Sequence, residues 1–362
     1  MLSGRSRKSK GEEGVNEYDR FNNLLNHWPV DRPPVVAPMH TATTALMKAA
    51  NAYYPEVQDN PLKMVRLAMA GHTVAGFENV RVPFDESVEV SSFGVITGRK
   101  GAMRQPLVLQ YPVSRPEDVE KLQLPDPRTD GKVPVVLEAI RLLESERKDL
   151  PIILGIISPL MLAMQLRGHH QVMHDMINDP ELLKELLTKT TDFVIAYVRE
   201  GVEAGADQIL LDDSLSNSDF LTLGQFKDFA EPYEDKVAKE MRRVSIESIL
   251  HVCGAVSDMQ LDRMIEIDVD AISIDSEVSI ASAKRIGARR HMVVLGNISP
   301  TRTLLMGSIE AVEEATKRCI DEGVDGVSPG CSLEMHTSLE NLIAMTTTAK
   351  RYGAERARTA TK

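Results

Sequence analysis

Aromatic residues are scarce. Phe, Trp and Tyr together make up 4% of the 362 residues, with a single tryptophan. Basic charge is also in deficit, because 42 Lys and Arg stand against 53 Asp and Glu for a formal net charge of −11. With no basic stripe and no aromatics interleaved with one, nucleic acid is excluded as an expected partner. No apolar run approaches the ~20 residues of a membrane-spanning helix. The stretch from Met1 to Gly14 is basic and polar with no apolar segment behind it, so no signal peptide is expected either. Three widely spaced cysteines cannot form a disulfide framework, and a reducing cytoplasm is the expected compartment.

What the chain does have is core-forming material, since 43% of it is hydrophobic. From about residue 150 a short apolar, β-rich run is repeatedly followed by a longer amphipathic segment, the sequence form of βα units on a parallel sheet. The strand candidates are 152–157, 208–212, 248–253, 271–275, 292–296 and 326–329, with 35–38 and 80–83 before them. Gly201-Val-Glu-Ala-Gly-Ala-Asp207 and Glu322-Gly-Val-Asp325 read as helices stopped by glycine and turned into a strand. Eight such units predict an α/β protein with a single closed (β/α)8 TIM barrel. No G-x-G-x-x-G follows a strand, which makes a dinucleotide-binding open sheet the weaker alternative. The expected organisation is a disordered tail at 1–15, one barrel domain at 16–355 and a flexible tail at 356–362, with the Pro- and Asp-rich 115–133 as a long surface connection.

In such a barrel the chemistry sits at the C-terminal ends of the strands. His251, Cys253, Asp275, Glu277, Asn297 and Cys331 all fall at or just past such ends, in four successive units. His251 and Cys253 are two residues apart on a strand and share a face. Cysteine and histidine are ligands for a borderline-soft cation such as zinc, and three protein ligands with Cys331 leave an open coordination position of the catalytic kind. The alternative reading makes Cys253 and Cys331 small buried hydrophobes, and that is the preferred reading for Cys319, which lies in the helical run 309–322. His169, His170 and His174 contain an i, i+4 pair, but no further ligand completes a motif around them.

With those residues placed, the chain resembles the uroporphyrinogen decarboxylase superfamily and, within it, the zinc-dependent methylcobamide:coenzyme M methyltransferases. The motifs that carry the resemblance are Val30-Asp-Arg-Pro-Pro34, Val82-Pro-Phe-Asp85, Phe229-Ala-Glu-Pro-Tyr233, His251-Val-Cys-Gly254, Leu295-Gly-Asn-Ile-Ser-Pro300 and Pro329-Gly-Cys331. The last three are the specific ones. The decarboxylases resemble one another in an arginine pair after the first strand, a cation cluster that a polycarboxylate substrate demands. The corresponding stretch here, Met39-His-Thr-Ala-Thr-Thr-Ala-Leu-Met47, has no arginine, and Cys331 stands where they carry a histidine.

The resemblance implies a methyltransferase in which zinc on His251, Cys253 and Cys331 activates a small thiol, coenzyme M being the expected one. The methyl donor is a methylated corrinoid. The chain has no Asp-x-His-x-x-Gly pattern, so the corrinoid is expected on a separate partner protein. A carboxylate from Glu277 or Asp275 is the expected displaceable fourth ligand, with Glu277 preferred because it lies past the strand end. Asn297 is expected to orient a ligand or the substrate, or else to cap the turn before Pro300. Asp85, whose counterpart in the decarboxylases stabilises charge on the pyrroles, either acts directly or is a polar fixture of the barrel mouth. His40, at the mouth of the first strand, is expected to meet an anionic end of the substrate and His336 to wall the pocket, both as cofactor-binding residues. A porphyrinogen decarboxylase is the alternative function, and a non-catalytic zinc- or corrinoid-binding protein is a third.

Overall fold

The structure, a computed structural model, describes residues 15–98, 106–146 and 149–360. The expected N-terminal tail lies outside them except for Val15. Seven strands pair side by side in chain order: β1 Val80–Val82, β2 Ile152–Ile157, β3 Gln208–Asp213, β4 Glu247–Val252, β5 Ala271–Ile274, β6 Val293–Ile298 and β7 Gly326–Pro329. Every pairing is parallel. Such strands are covered on both faces, which is why they read as near-continuous apolar runs such as the fully buried Ile-Ile-Leu-Gly-Ile-Ile of β2.

The curled sheet closes through the segment around Val35. The Val36 N–H donates to Val327 O (2.9 Å), the Val327 N–H to Pro34 O (2.8 Å), and the Glu78 N–H to Val35 O (2.8 Å). Among the described residues this segment contributes only the single parallel bridge Val35↔Val327, not the strand expected over 35–38. Side-chain groups take over the missing ladder. Glu78 Oε2 accepts the Val35 N–H (2.8 Å) and Asn79 Oδ1 accepts the Ala37 N–H (2.7 Å). The buried Glu78 is itself held by Arg20 Nη1 (2.8 Å) and Arg32 Nη2 (2.6 Å).

Because residues two apart share a face, each strand carries an inward series. Ile153, Leu210, Ile249, Ala271, Val293 and Leu295 meet Val36 and Met39 inside the barrel. Phe21 and Leu25, from the helix Glu17–Leu25, join that cluster. Two residues further along the same inward series stand Asp212, His251 and Ser273, opposite one another in the parallel register Asp212↔His251↔Ser273. The apolar cluster therefore forms a floor on which a polar layer rests. A larger apolar layer fills the space between the sheet and the surrounding helices.

Local sequence explains where the helices start and stop. Ser158 accepts the Met161 N–H and Pro159 occupies the first turn of Pro159–Arg167. The helix Pro180–Ala204 ends at Gly205, whose φ of 107° is the left-handed cap expected of glycine. Two segments differ from expectation. The connection at 115–133 contains the short helix Pro116–Lys121. The last helix, Leu339–Ala360, runs on through 356–360 instead of ending as a tail at 355, and Arg356 Nε lies 2.9 Å from Asp321.

Candidate metal and thiol site

β4 ends at Val252, so His251 is the last inward residue of the strand and Cys253 follows on the loop with the same orientation. Cys331 follows β7, two strands past β5 around the barrel. Folding brings the three together: one ligand atom from each of His251, Cys253 and Cys331 lies within 4.8 Å of the others. The two sulfurs are 3.5 Å apart. Tetrahedral ligands at Zn–S distances of about 2.3 Å are separated by roughly 3.7 Å, so the spacing suits one ion.

The imidazole is aimed by its second nitrogen. His251 Nδ1 lies 3.1 Å from Ser273 Oγ, and the buried Nε2 has no hydrogen-bond partner. A buried polar atom without a partner is costly, and the ring that carries it lies within ligand reach of two thiols. The donor set of two sulfurs and an imidazole nitrogen is the one zinc prefers.

The electrostatics fit the same reading. Cys253 is brought down to about 6, first by its hydrogen bond with Cys331 and then, against the opposing effect of burial, by His251. Cys331 is pushed well above the ordinary thiol value by that same hydrogen bond and by burial. His251 is raised overall: burial works against its charge, and Cys253, Asp212 and Asp275 outweigh it. Cys319 is different. It is buried, donates to Gly296 O at 2.8 Å, and burial pushes its thiol up to about 12.

Of the two acidic candidates, Asp275 lies beside the cluster, with Oδ2 3.6 Å from Cys253 Sγ. Glu277 is exposed and pairs with Arg302 Nη2 at 2.6 Å. The preference for Glu277 has the wrong geometry, because the loop after β5 bends: Asp275 Oδ1 accepts the Glu277 N–H (2.9 Å), a local turn that sends the next side chains outward. Asn297 belongs to β6 instead of following it, and its Nδ2 donates to Asp275 O (3.1 Å) and Val278 O (2.8 Å). It thus holds the loop that carries Asp275 and does not cap the turn before Pro300; Ser299 caps that segment.

The remaining candidates lie farther around the mouth. Asp85 is buried and fully engaged, accepting from Gln58 Nε2 (2.5 Å), the Ser87 N–H (2.9 Å) and Ser87 Oγ (2.5 Å). His40 is buried with Nδ1 2.9 Å from Ser332 Oγ. Burial first, then the charges of Arg81 and His251, hold it well below the usual histidine value and so neutral. His336 is exposed. Sequence reasoning passed over Arg81, Asp212 and Ser273, all buried inside the barrel. The one signal was available for Arg81, a charged residue alternating with valines in a strand.

A parallel βα barrel with a His, Cys, Cys cluster at the strand ends places its candidate site where barrel enzymes carry their chemistry, and the cluster could hold a metal ion. Residues 16–352 match the uroporphyrinogen decarboxylase (URO-D) family, and the chain belongs to that family. It is 36% identical over 335 residues to a methylcobamide:CoM methyltransferase MtbA of Methanosarcina acetivorans, covering 92% of this chain and 97% of that one. A solved methyltransferase from Methanosarcina mazei superposes with a TM-score of 0.88 at 30% identity, covering 93% of this chain and 99% of the other. A uroporphyrinogen decarboxylase of Oceanobacillus iheyensis matches over a shorter stretch, 31% identical across 60% of this chain and 62% of that protein.

Proposed function

We propose that this protein is a methyltransferase that moves a methyl group from a methylated corrinoid, carried by a separate protein, to the sulfur of a small thiol. The convergence of His251, Cys253 and Cys331 on one point carries this reading, and the near full-length similarity to a methylcobamide:CoM methyltransferase supports it. Coenzyme M is the acceptor the reading favours. These three residues would hold zinc, whose chemistry when bound is to keep a thiol ionised near neutral pH.

The chain's own residues do the rest. Ser273 fixes the ring of His251 so that Nε2 faces the sulfurs. Asp275, beside Cys253, would be the carboxylate that helps these three residues hold the ion. Asn297 steadies its loop. The apolar floor of Leu210, Ile249, Ala271 and Leu295 closes the chamber from below. In the reaction the thiolate sulfur forms a bond to the methyl carbon, and the carbon–cobalt bond breaks with both electrons remaining on cobalt. The products are a methyl thioether and Co(I) corrinoid.

The test is to mix protein, methylcobalamin and 2-mercaptoethanesulfonate and to follow the thioether by mass spectrometry and the demethylated cobalamin by absorbance. Chelated protein is expected to lose the activity and added zinc to restore it. Equal rates with and without metal would refute the proposal. Uroporphyrinogen is expected to yield no coproporphyrinogen, because the site lacks the cation pair its carboxylates need and has Cys331 in place of histidine.

A further inference from the structure

Among the described residues, one buried cation inside the barrel has no ion-pair partner. Arg81 is the middle residue of β1, and its neighbours Val80 and Val82 pack into the outer apolar layer. Alternation therefore turns Arg81 inward, where it is 3% exposed. Its Nη1 donates to Pro83 O. Its Nε is buried and donates to nothing. Room for the guanidinium exists because position 155, on the adjacent strand β2, is glycine: a Cβ there would collide with Nη2, Cζ and Nε of Arg81.

None of the surrounding carboxylates is bonded to it. Asp212, Glu89 and Glu86 act on Arg81 through space, yet among the described residues no salt bridge includes it. Asp212 Oδ1 accepts instead from Ser214 Oγ at 2.5 Å, and Glu89 Oε1 from the Ile157 N–H at 2.9 Å. Burial, first of all, pushes both Glu86 and Glu89 up to about 8, so near neutral pH they are mostly uncharged. A buried charge without a partner is strongly unfavourable. Arg81 on β1 and the series Asp212, His251 and Ser273 on β3 to β5 all face the interior of the same barrel. Asp212 Oδ2, Ser328 Oγ and His251 Nε2 are likewise buried and unpartnered.

We propose that Arg81 selects the acceptor: its free guanidinium edge takes the anionic group at the far end of a short thiol whose sulfur lies at His251, Cys253 and Cys331. An arginine fork matches a sulfonate or carboxylate with two parallel hydrogen bonds, which a lysine cannot reproduce. The inference rests on the proposed methyl transfer and deepens it, because it names the residue that makes the acceptor an anionic thiol.

The experiment compares 2-mercaptoethanesulfonate with 2-mercaptoethanol, each with methylcobalamin and zinc-loaded protein, and adds ethanesulfonate, which has no thiol, as a ligand followed by calorimetry on metal-free protein. The wild type is expected to show a KM for the sulfonate roughly 10- to 100-fold lower than for the neutral thiol, the value of a charge-assisted contact. Arg81→Met should raise the sulfonate KM by a similar factor, leave the neutral thiol within about 3-fold, and abolish ethanesulfonate binding. Arg81→Lys should fall between. A merely structural Arg81 would affect both thiols alike, and that result overturns the proposal, as does a wild type with no preference between them. If circular dichroism shows Arg81→Met unfolded, the wild-type preference and ethanesulfonate binding decide. Should neither thiol be methylated, the methyl-transfer reading fails by itself, and ethanesulfonate binding still decides the role of Arg81.

Discussion

Ser273→Ala separates a metal site from a chance meeting of three soft side chains. Ser273 Oγ lies 3.1 Å from His251 Nδ1 deep in the barrel, and it touches neither sulfur. Its loss removes one neutral hydrogen bond, worth about 0.5–1.5 kcal/mol of folding stability. It also frees the imidazole to rotate and to change tautomer, so that Nε2 no longer faces Cys253 and Cys331. Removing the partner that orients a metal-bound histidine typically weakens metal affinity about 10- to 100-fold, equivalent to roughly 1.4–2.7 kcal/mol. Competition against a chromophoric zinc chelator at pH 7 measures that change, and urea unfolding of the metal-free protein measures the stability change on its own. Wild-type zinc affinity in a variant that shows the expected small loss of stability would refute the claim that Ser273 aims His251 at a metal.

Three further outcomes follow from the same geometry. Cys331→Ala should lose stoichiometric zinc whereas Cys319→Ala keeps it, because only the former sulfur lies 3.5 Å from Cys253; metal analysis of the two purified variants checks this, and the opposite pattern would remove Cys331 from the ligand set. Asp275→Asn should weaken zinc binding while Glu277→Gln changes it less than about 2-fold, since an exposed pair such as Glu277–Arg302 contributes little; the same chelator competition reads both, and a larger effect at Glu277 would return the fourth position to it. Glu89, held near 8 in the fold against an ordinary 4.5, has its pKa raised on folding, so its stabilising effect is complete below about 4.5 and declines as pH rises to about 8. The decline is about 1.4 kcal/mol per pH unit at most, and Glu89→Gln should flatten this part of the stability–pH curve in urea titrations of metal-free protein; an unchanged slope would show that Glu89 is ionised in the fold.

Much of the barrel was legible because parallel strands buried on both faces leave continuous apolar runs, and these identified β2 to β7 to within one or two residues. Local chemistry was also enough to pair His251 with Cys253, since their spacing of two fixes a shared face whatever the rest of the chain does. It also set Cys319 apart, because a cysteine in a helix leading into a strand lies away from the strand ends where the cluster forms. What remained hidden depends on how the chain bends past a strand end and on contacts between segments far apart in sequence. Which of Asp275 and Glu277 lies beside the cluster turned on a bend just past β5, where a step of two residues no longer preserves the direction of the side chain. The segment at Val35 closes the barrel with one bridge because Glu78 and Asn79 supply side-chain acceptors from 43 and 42 residues away. Cys331 reaches Cys253 across 78 residues only when the sheet curls. Arg81 stands out locally only as a charge between two valines; its isolation as a buried cation exists only once Gly155 on the neighbouring strand makes room for it and the nearby carboxylates bond elsewhere.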